Sequence, residues 1–141
     1  MIVYVDSSVL LRHALHQPDA LPEWPKIRRG LSSKLIATEC LRTLDRVRIR
    51  ARLSESDMAL KRSAVLALIS ELDLAELDQA VLDRAAQPMP TQLGTLDAIH
   101  LATALLWRDM AQADLVLATH DTALAMAGMA HGLPVIGASV A

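Results

Sequence analysis

The stretch Ile2-Val3-Tyr4-Val5-Asp6-Ser7-Ser8-Val9-Leu10-Leu11 decides the architecture of this chain. Four apolar residues, three of them β-branched, stop abruptly at an acid, the pattern of a short buried strand. Asp6-Ser7-Ser8 is a helix-start signal, because short side-chain oxygens accept from the orphan N–H groups of a first helical turn. In open α/β sheets, ligands bind outside the carboxyl ends of the strands, which is where this order of elements puts the Asp6 carboxylate. Taken alone, Asp6 reads equally well as a helix cap. The acids further along decide between the two.

A second buried-strand signal, Asp114-Leu115-Val116-Leu117-Ala118, is followed by Thr119-His120-Asp121-Thr122 and a helical run from Ala123 that ends near Gly128 to Gly132. The chain therefore shows twice a strand, a turn bearing an acid and hydroxyls, and a helix. Leu133 to Gly137 reads as a last short strand. Such alternation favours a parallel sheet. Between the two units, a first helix runs from Ser8 to about His16, closed by Gln17-Pro18-Asp19. A loop with a short helix follows, carrying Lys26, Arg28 and Arg29. Leu31-Ser32-Ser33 fits either a short strand or the run-in to the next helix.

From Lys34 to about Arg52 the pattern is helical, with Ala37, Cys40, Leu44, Val47 and Ala51 on one stripe. Glu39, Arg42, Arg46 and Arg50 form a row on another face. By itself this row is a solvated surface with Glu–Arg support along the helix, worth a few tenths of a kcal/mol per pair. A helix capped by Ser54 or Ser56 runs to about Ser70. Leu72 to Leu77 alternates as a peripheral strand, and Asp78 caps a short helix through Ala86. Glu71, Asp73, Glu76, Asp78 and Asp83 read as surface charge. Thr95 to about Trp107 is the most apolar helix and is expected to be buried, with Asp97 in its first turn.

The 141 residues suit a single domain, 1–141, with 52% hydrophobic and 21% charged residues. There is no Phe, with one Tyr and two Trp, so an aliphatic core is expected and base stacking on an aromatic platform is not. A net charge of −2 gives no overall pull toward nucleic acid but leaves room for local basic rows. The single cysteine, Cys40, excludes an internal disulfide and a cysteine-based zinc site, and it suits a reducing compartment. No apolar run reaches membrane-spanning length. The expected address is the cytoplasm, away from any membrane.

Four acids stand at element ends: Asp6 after a strand, Glu39 early in a helix, Asp97 at a helix start and Asp121 after a strand. Helix capping alone explains neither Asp97 nor Asp121. Carboxylates gathered at one sheet edge raise one another's pKa, and a divalent cation resolves the conflict. Oxygen-only ligands suit Mg²⁺ or Mn²⁺ better than Zn²⁺.

Strand–Asp6-Ser7-Ser8, Glu39 with Arg42 three residues on, Leu96-Asp97-Ala98-Ile99-His100-Leu101-Ala102 and Leu117-Ala118-Thr119-His120-Asp121 together resemble the PIN domain. The short form resembles the VapC-type toxins of bacterial toxin–antitoxin pairs, over essentially the whole chain. The resemblance implies a three-layer α/β/α sandwich on a small parallel sheet and Mg²⁺- or Mn²⁺-dependent cleavage of RNA. It makes Asp6, Glu39, Asp97 and Asp121 the acidic site, with Ser8 and Thr119 as supporting hydroxyls. It also implies a cognate antitoxin as partner, and a homodimer. Asp6 and Asp97 are the expected direct metal ligands. Arg42, Arg46 and Arg50 lead away from Glu39 as an expected track for RNA phosphates or for the antitoxin. Asp6→Ala is expected to abolish cleavage and leave the fold intact. His100 is read as a helix-face histidine hydrogen-bonded within the fold, because proton transfer needs reach to substrate.

Two rival functions start from the same residues. Haloacid-dehalogenase-like phosphotransferases place an aspartate nucleophile after a first strand but carry a second Asp two residues later, where this chain has Ser8. A catalytically silent PIN-like binding module is the non-enzymatic alternative.

Overall fold

The computed structural model describes residues 1–139 of the chain. Its centre is one parallel sheet of β1 (Ile2–Val5), β2 (Arg29–Ser33), β3 (Asp73–Ala75), β4 (Val116–Ala118) and β5 (Val135–Ile136), in the order β3-β2-β1-β4-β5. The opening strand lies in the middle, paired on both sides. Among the described residues six α-helices flank the sheet: α1 (Ser7–Ala14), α2 (Leu35–Ala51), α3 (Glu55–Ser70), α4 (Gln79–Ala85), α5 (Thr95–Ala111) and α6 (Thr122–Ala130).

Side chains of β1 alternate between two cores, as the period of two requires. Val3 and Val5 pack with Val9, Leu10, Ile36, Cys40 and Leu44 beneath α1, α2 and α3. Tyr4 packs with Leu101, Leu105, Leu117 and Leu124 beneath α5 and α6. The short α4 closes on α5 through Val81, Ile99 and Ala102. This is the expected three-layer α/β/α sandwich, and a strand buried on both faces explains its uninterrupted apolar run.

The registers fix the site. Val3, Tyr4 and Val5 stand opposite Val116, Leu117 and Ala118, so Asp6 and Thr119 leave the same edge side by side. The Asp6 amide donates to the Ala118 carbonyl at 3.0 Å, extending the ladder one residue past the strands. Helix α6 sits close on β4 because Gly128 faces Leu117, where an added Cβ would meet the Leu117 side chain at 2.6 Å.

Several boundaries differ from the sequence reading for physical reasons. Polar Ser32 and Ser33 are fully buried in β2, because the Ser32 hydroxyl donates to the Val5 carbonyl at 2.8 Å and Ser33 accepts from the Leu35 amide at 3.1 Å. Helix α5 continues past Trp107 to Ala111 and stops with Gln112 in the left-handed region, φ +49°. The buried stripe of α2 is Ile36, Cys40 and Leu44; Ala51 is exposed at the helix end. The strand expected over Leu72 to Leu77 contracts to the three residues of β3. Its acids are on the surface, with Asp73 paired to Arg29 at 2.7 Å and Glu76 paired to Lys34. Among the described residues no helix is long and apolar enough to cross a membrane.

Candidate active site at the carboxyl edge of the sheet

Asp6 is the fixed point of the site. It is 3% exposed, and its Oδ2 accepts from the Ser8 hydroxyl at 2.7 Å and the Thr119 hydroxyl at 2.9 Å. Both hydroxyls also accept main-chain protons, Ser8 from the His120 amide at 3.1 Å and Thr119 from the Asp121 amide at 3.0 Å. The turn after β4 is thereby tied to the turn after β1. Asp6 occupies the N-cap position of α1, yet its side chain makes no capping bond. The carboxylate is held by hydroxyls and not by the helix.

Asp121 does the opposite. Its Oδ1 accepts from the Leu124 amide at 2.8 Å and so caps α6. This corrects the expectation that capping leaves Asp121 unexplained: one of its oxygens has a structural partner. Asp97 fits its place at the start of α5, where the helix dipole favours an acid. Burial pushes its carboxyl up to about 6, and the charges of Asp6, Asp121 and Glu39 add to the rise, with His100 opposing. The four acids therefore share one electrostatic field.

Glu39 departs most from the sequence reading. The expected Glu–Arg support along α2 is not formed. Arg42 faces Asp45 at 3.4 Å and Arg46 donates to the Thr43 hydroxyl at 3.1 Å, while Glu39 turns inward to His100 Nε2. His100 is fully buried, with Nδ1 2.7 Å from the Tyr4 hydroxyl and Nε2 4.0 Å from Asp6 Oδ1. It is hydrogen-bonded within the fold on both ring nitrogens. Burial lowers its pKa, but the bond from Glu39 and the charges of Asp6, Glu39 and Asp97 win, and the net direction is up.

Glu39, Arg42 and Arg46, with Leu35, Thr38, Thr43 and Leu96, line a groove of about 260 Å³. Arg50 is exposed one turn further on and is not part of that lining. Arg29 starts β2 at the edge opposite Asp6, where it pairs with Asp73 and lies over the Trp107 ring at 5.5 Å. Arg29 therefore lies away from the groove beside Glu39.

The donor set fits a hard divalent cation in one particular way. Among the described residues no three His, Cys, Asp or Glu side chains are already gathered closely enough to enclose an ion. Mg²⁺ is commonly bound by one or two carboxylates with its remaining positions filled by water and substrate phosphate, and Asp6 and Asp97 would be the carboxylates to hold it. Burial pushes the Cys40 thiol up to about 12, away from thiolate chemistry, and the Ser8 and Thr119 hydroxyls are engaged on Asp6.

Comparison with known proteins agrees with this geometry. The PIN domain family model matches residues 3–128. The chain belongs to the PIN domain family. It is 36% identical to Ribonuclease VapC46 of Mycobacterium tuberculosis (strain ATCC 25618 / H37Rv), over 97% of this chain and 98% of that protein. A solved toxin–antitoxin complex from Klebsiella pneumoniae contains a chain of the same fold, with TM-score 0.65 and 18% identity, covering 98% of this chain and 96% of that one. Within this PIN domain, the position two residues after Asp6 carries a hydroxyl that orients the carboxylate, in place of the second acid of the phosphotransferase alternative.

Proposed function

We propose that this PIN domain, 1–141, is a divalent-metal-dependent endoribonuclease, the toxin of a toxin–antitoxin pair, working in the cytoplasm. The observation that carries the reading is the buried Asp6 carboxylate at the carboxyl edge of the sheet, held by the Ser8 and Thr119 hydroxyls and 4.0 Å from the histidine that Glu39 contacts. The similarity to Ribonuclease VapC46 along nearly the whole chain supports the choice of RNA as substrate.

In this reading Asp6 and Asp97 hold Mg²⁺ or Mn²⁺. The ion supplies charge neutralisation at the scissile phosphate and a more acidic water. The Ser8 and Thr119 hydroxyls hold Asp6 in one rotamer. Glu39 and Asp121 flank the pair, orienting the attacking water or adding ligands. Water is the nucleophile in this reading, with the Cys40 thiol kept protonated by burial and the Ser8 and Thr119 hydroxyls engaged on Asp6. Arg42 and Arg46 draw the RNA backbone along the groove beside Glu39, and the same groove takes the antitoxin. Pairing of two copies through exposed apolar residues such as Met126 and Met129 belongs to the same reading.

The test is cleavage of RNA by purified, partner-free protein with Mg²⁺ or Mn²⁺, in the presence and absence of chelator. Metal-dependent cleavage that disappears in Asp97→Asn is expected. Protein with no metal-dependent cleavage, behaving the same as Asp97→Asn, returns the chain to the silent binding-module class.

A further inference from the structure

We infer that His100, braced by Tyr4, is the positioning residue that holds Glu39 turned into the acidic edge; this rests on the nuclease reading of that edge. On a helix surface the default partner of Glu39 is Arg42, three residues on. Glu39 instead reaches a residue 61 positions away, leaving Arg42 to Asp45. Something buried outcompetes a nearby guanidinium, and His100 is the group in contact.

The hydrogen-bonding capacity of each group fixes what His100 offers. Ionised Glu39 only accepts, so the facing Nε2 must donate. That holds for a neutral ring whose Nδ1 accepts from the Tyr4 hydroxyl, and equally for an imidazolium whose Nδ1–H donates to it. Tyr4 is itself fixed: it is 1% exposed, sits mid-strand in β1, and stands edge-on to the His100 ring at 5.7 Å between centroids. The Ser32 and Thr103 hydroxyls near it donate to the Val5 and Ile99 carbonyls at 2.8 and 2.7 Å. The brace runs from central strand to ring to carboxylate, with no exposed link before Glu39.

His100 cannot reach substrate, because it is fully buried and both nitrogens are occupied. Its effect passes through Glu39. The same N–H edge faces Asp6 Oδ1 at 4.0 Å, so it also moderates repulsion between the two carboxylates it stands beside.

Two substitutions separate positioning from packing. A glutamine amide reaches the place of Nε2, whereas an asparagine amide reaches only that of Nδ1, on the Tyr4 side. In His100→Gln, Glu39 stays turned inward and kcat falls only slightly. In His100→Asn, Glu39 swings toward Arg42 or solvent, and kcat falls about tenfold or more at little-changed KM. Crystal structures of both variants give the Glu39 position, and RNA cleavage gives the rates. Equal kcat in the two variants, or Glu39 unmoved in His100→Asn, overturns the assignment. If the unmodified protein cleaves no RNA, the nuclease reading fails, and the Glu39 position alone then decides the brace. If the Asn variant does not fold, ring ¹H–¹⁵N correlations of the unmodified protein near neutral pH decide. A proton on His100 Nε2 supports the brace, and a bare Nε2 overturns it.

Discussion

The Thr119 hydroxyl donates to Asp6 Oδ2 at 2.9 Å across 113 positions of sequence, onto the same oxygen that Ser8 holds from two residues away. One bond is local and the other spans nearly the whole fold. The carboxylate's orientation therefore reports whether the two central strands are in register.

Thr119→Val keeps the shape of that side chain and removes both its bonds. The Asp121 amide loses its acceptor, so a loss of about 1–3 kcal/mol is expected in urea unfolding. RNA cleavage is expected to fall about 10–100-fold, because the Asp6 carboxylate loses one of the two hydroxyls that orient it.

Asp6→Asn and Asp6→Ala should differ in stability while both abolish cleavage. Asparagine retains an oxygen for the Ser8 and Thr119 hydroxyls. Alanine leaves the buried Thr119 hydroxyl and the half-buried Ser8 hydroxyl without an acceptor and costs about 1–3 kcal/mol more. Asp6→Ala is still expected to fold, at lower stability than Asp6→Asn because of the bonds it breaks. Chemical denaturation of the two variants side by side checks the difference.

Metal-free protein should lose stability as pH rises. The Asp97 carboxyl, pushed up to about 6 by burial and its acidic neighbours, binds its proton more tightly folded than unfolded. Its ionisation therefore destabilises between about pH 4 and pH 6, by about 1 kcal/mol once solvent screening of this half-buried group is discounted. His100 has the same sign: its pKa is raised, so its contribution is present below its ordinary value and lost as pH passes its folded one. Cations compete with protons for the carboxylates, so Mg²⁺ should raise Tm more at about pH 8 than at about pH 5. Asp97→Asn should flatten the lower part of the metal-free curve. Thermal unfolding with and without Mg²⁺ at several pH values tests both.

Arg42→Ala with Arg46→Ala should weaken RNA binding across sequences and reduce the slope of log K against log salt by about 0.7 for each phosphate no longer neutralised. Arg50→Ala, outside the groove, should leave the slope unchanged. Binding to uncleaved RNA in Asp97→Asn protein measures this without turnover.

The two strand–acid–helix units are legible in the sequence because buried parallel strands show as apolar runs and helix starts need short polar residues. Those signals, with the two strands taken as parallel neighbours, put Asp6 and Asp121 at one sheet edge. Strand β2 is ambiguous in sequence because Gly30, Ser32 and Ser33 lack β-forming side chains; only the Val5 carbonyl and the Leu35 amide explain the burial of the two serines. Sequence reasoning gives Glu39 the wrong partner, since a helical row favours Arg42 and no local pattern reveals a histidine 61 residues on. Asp121 carries two legible meanings, and its bond to the Leu124 amide makes the capping role real.

Because β1 is the central strand and its second neighbour β4 is made long after it, the site cannot close until both strands have emerged. A nascent chain emerging from the ribosome carries Asp6, Ser8 and Glu39 early, and Thr119 and Asp121 much later. With translation at about 5–20 residues per second, several seconds pass between the first acid and the last. For a nuclease, this strand order delays activity until β4 has been made.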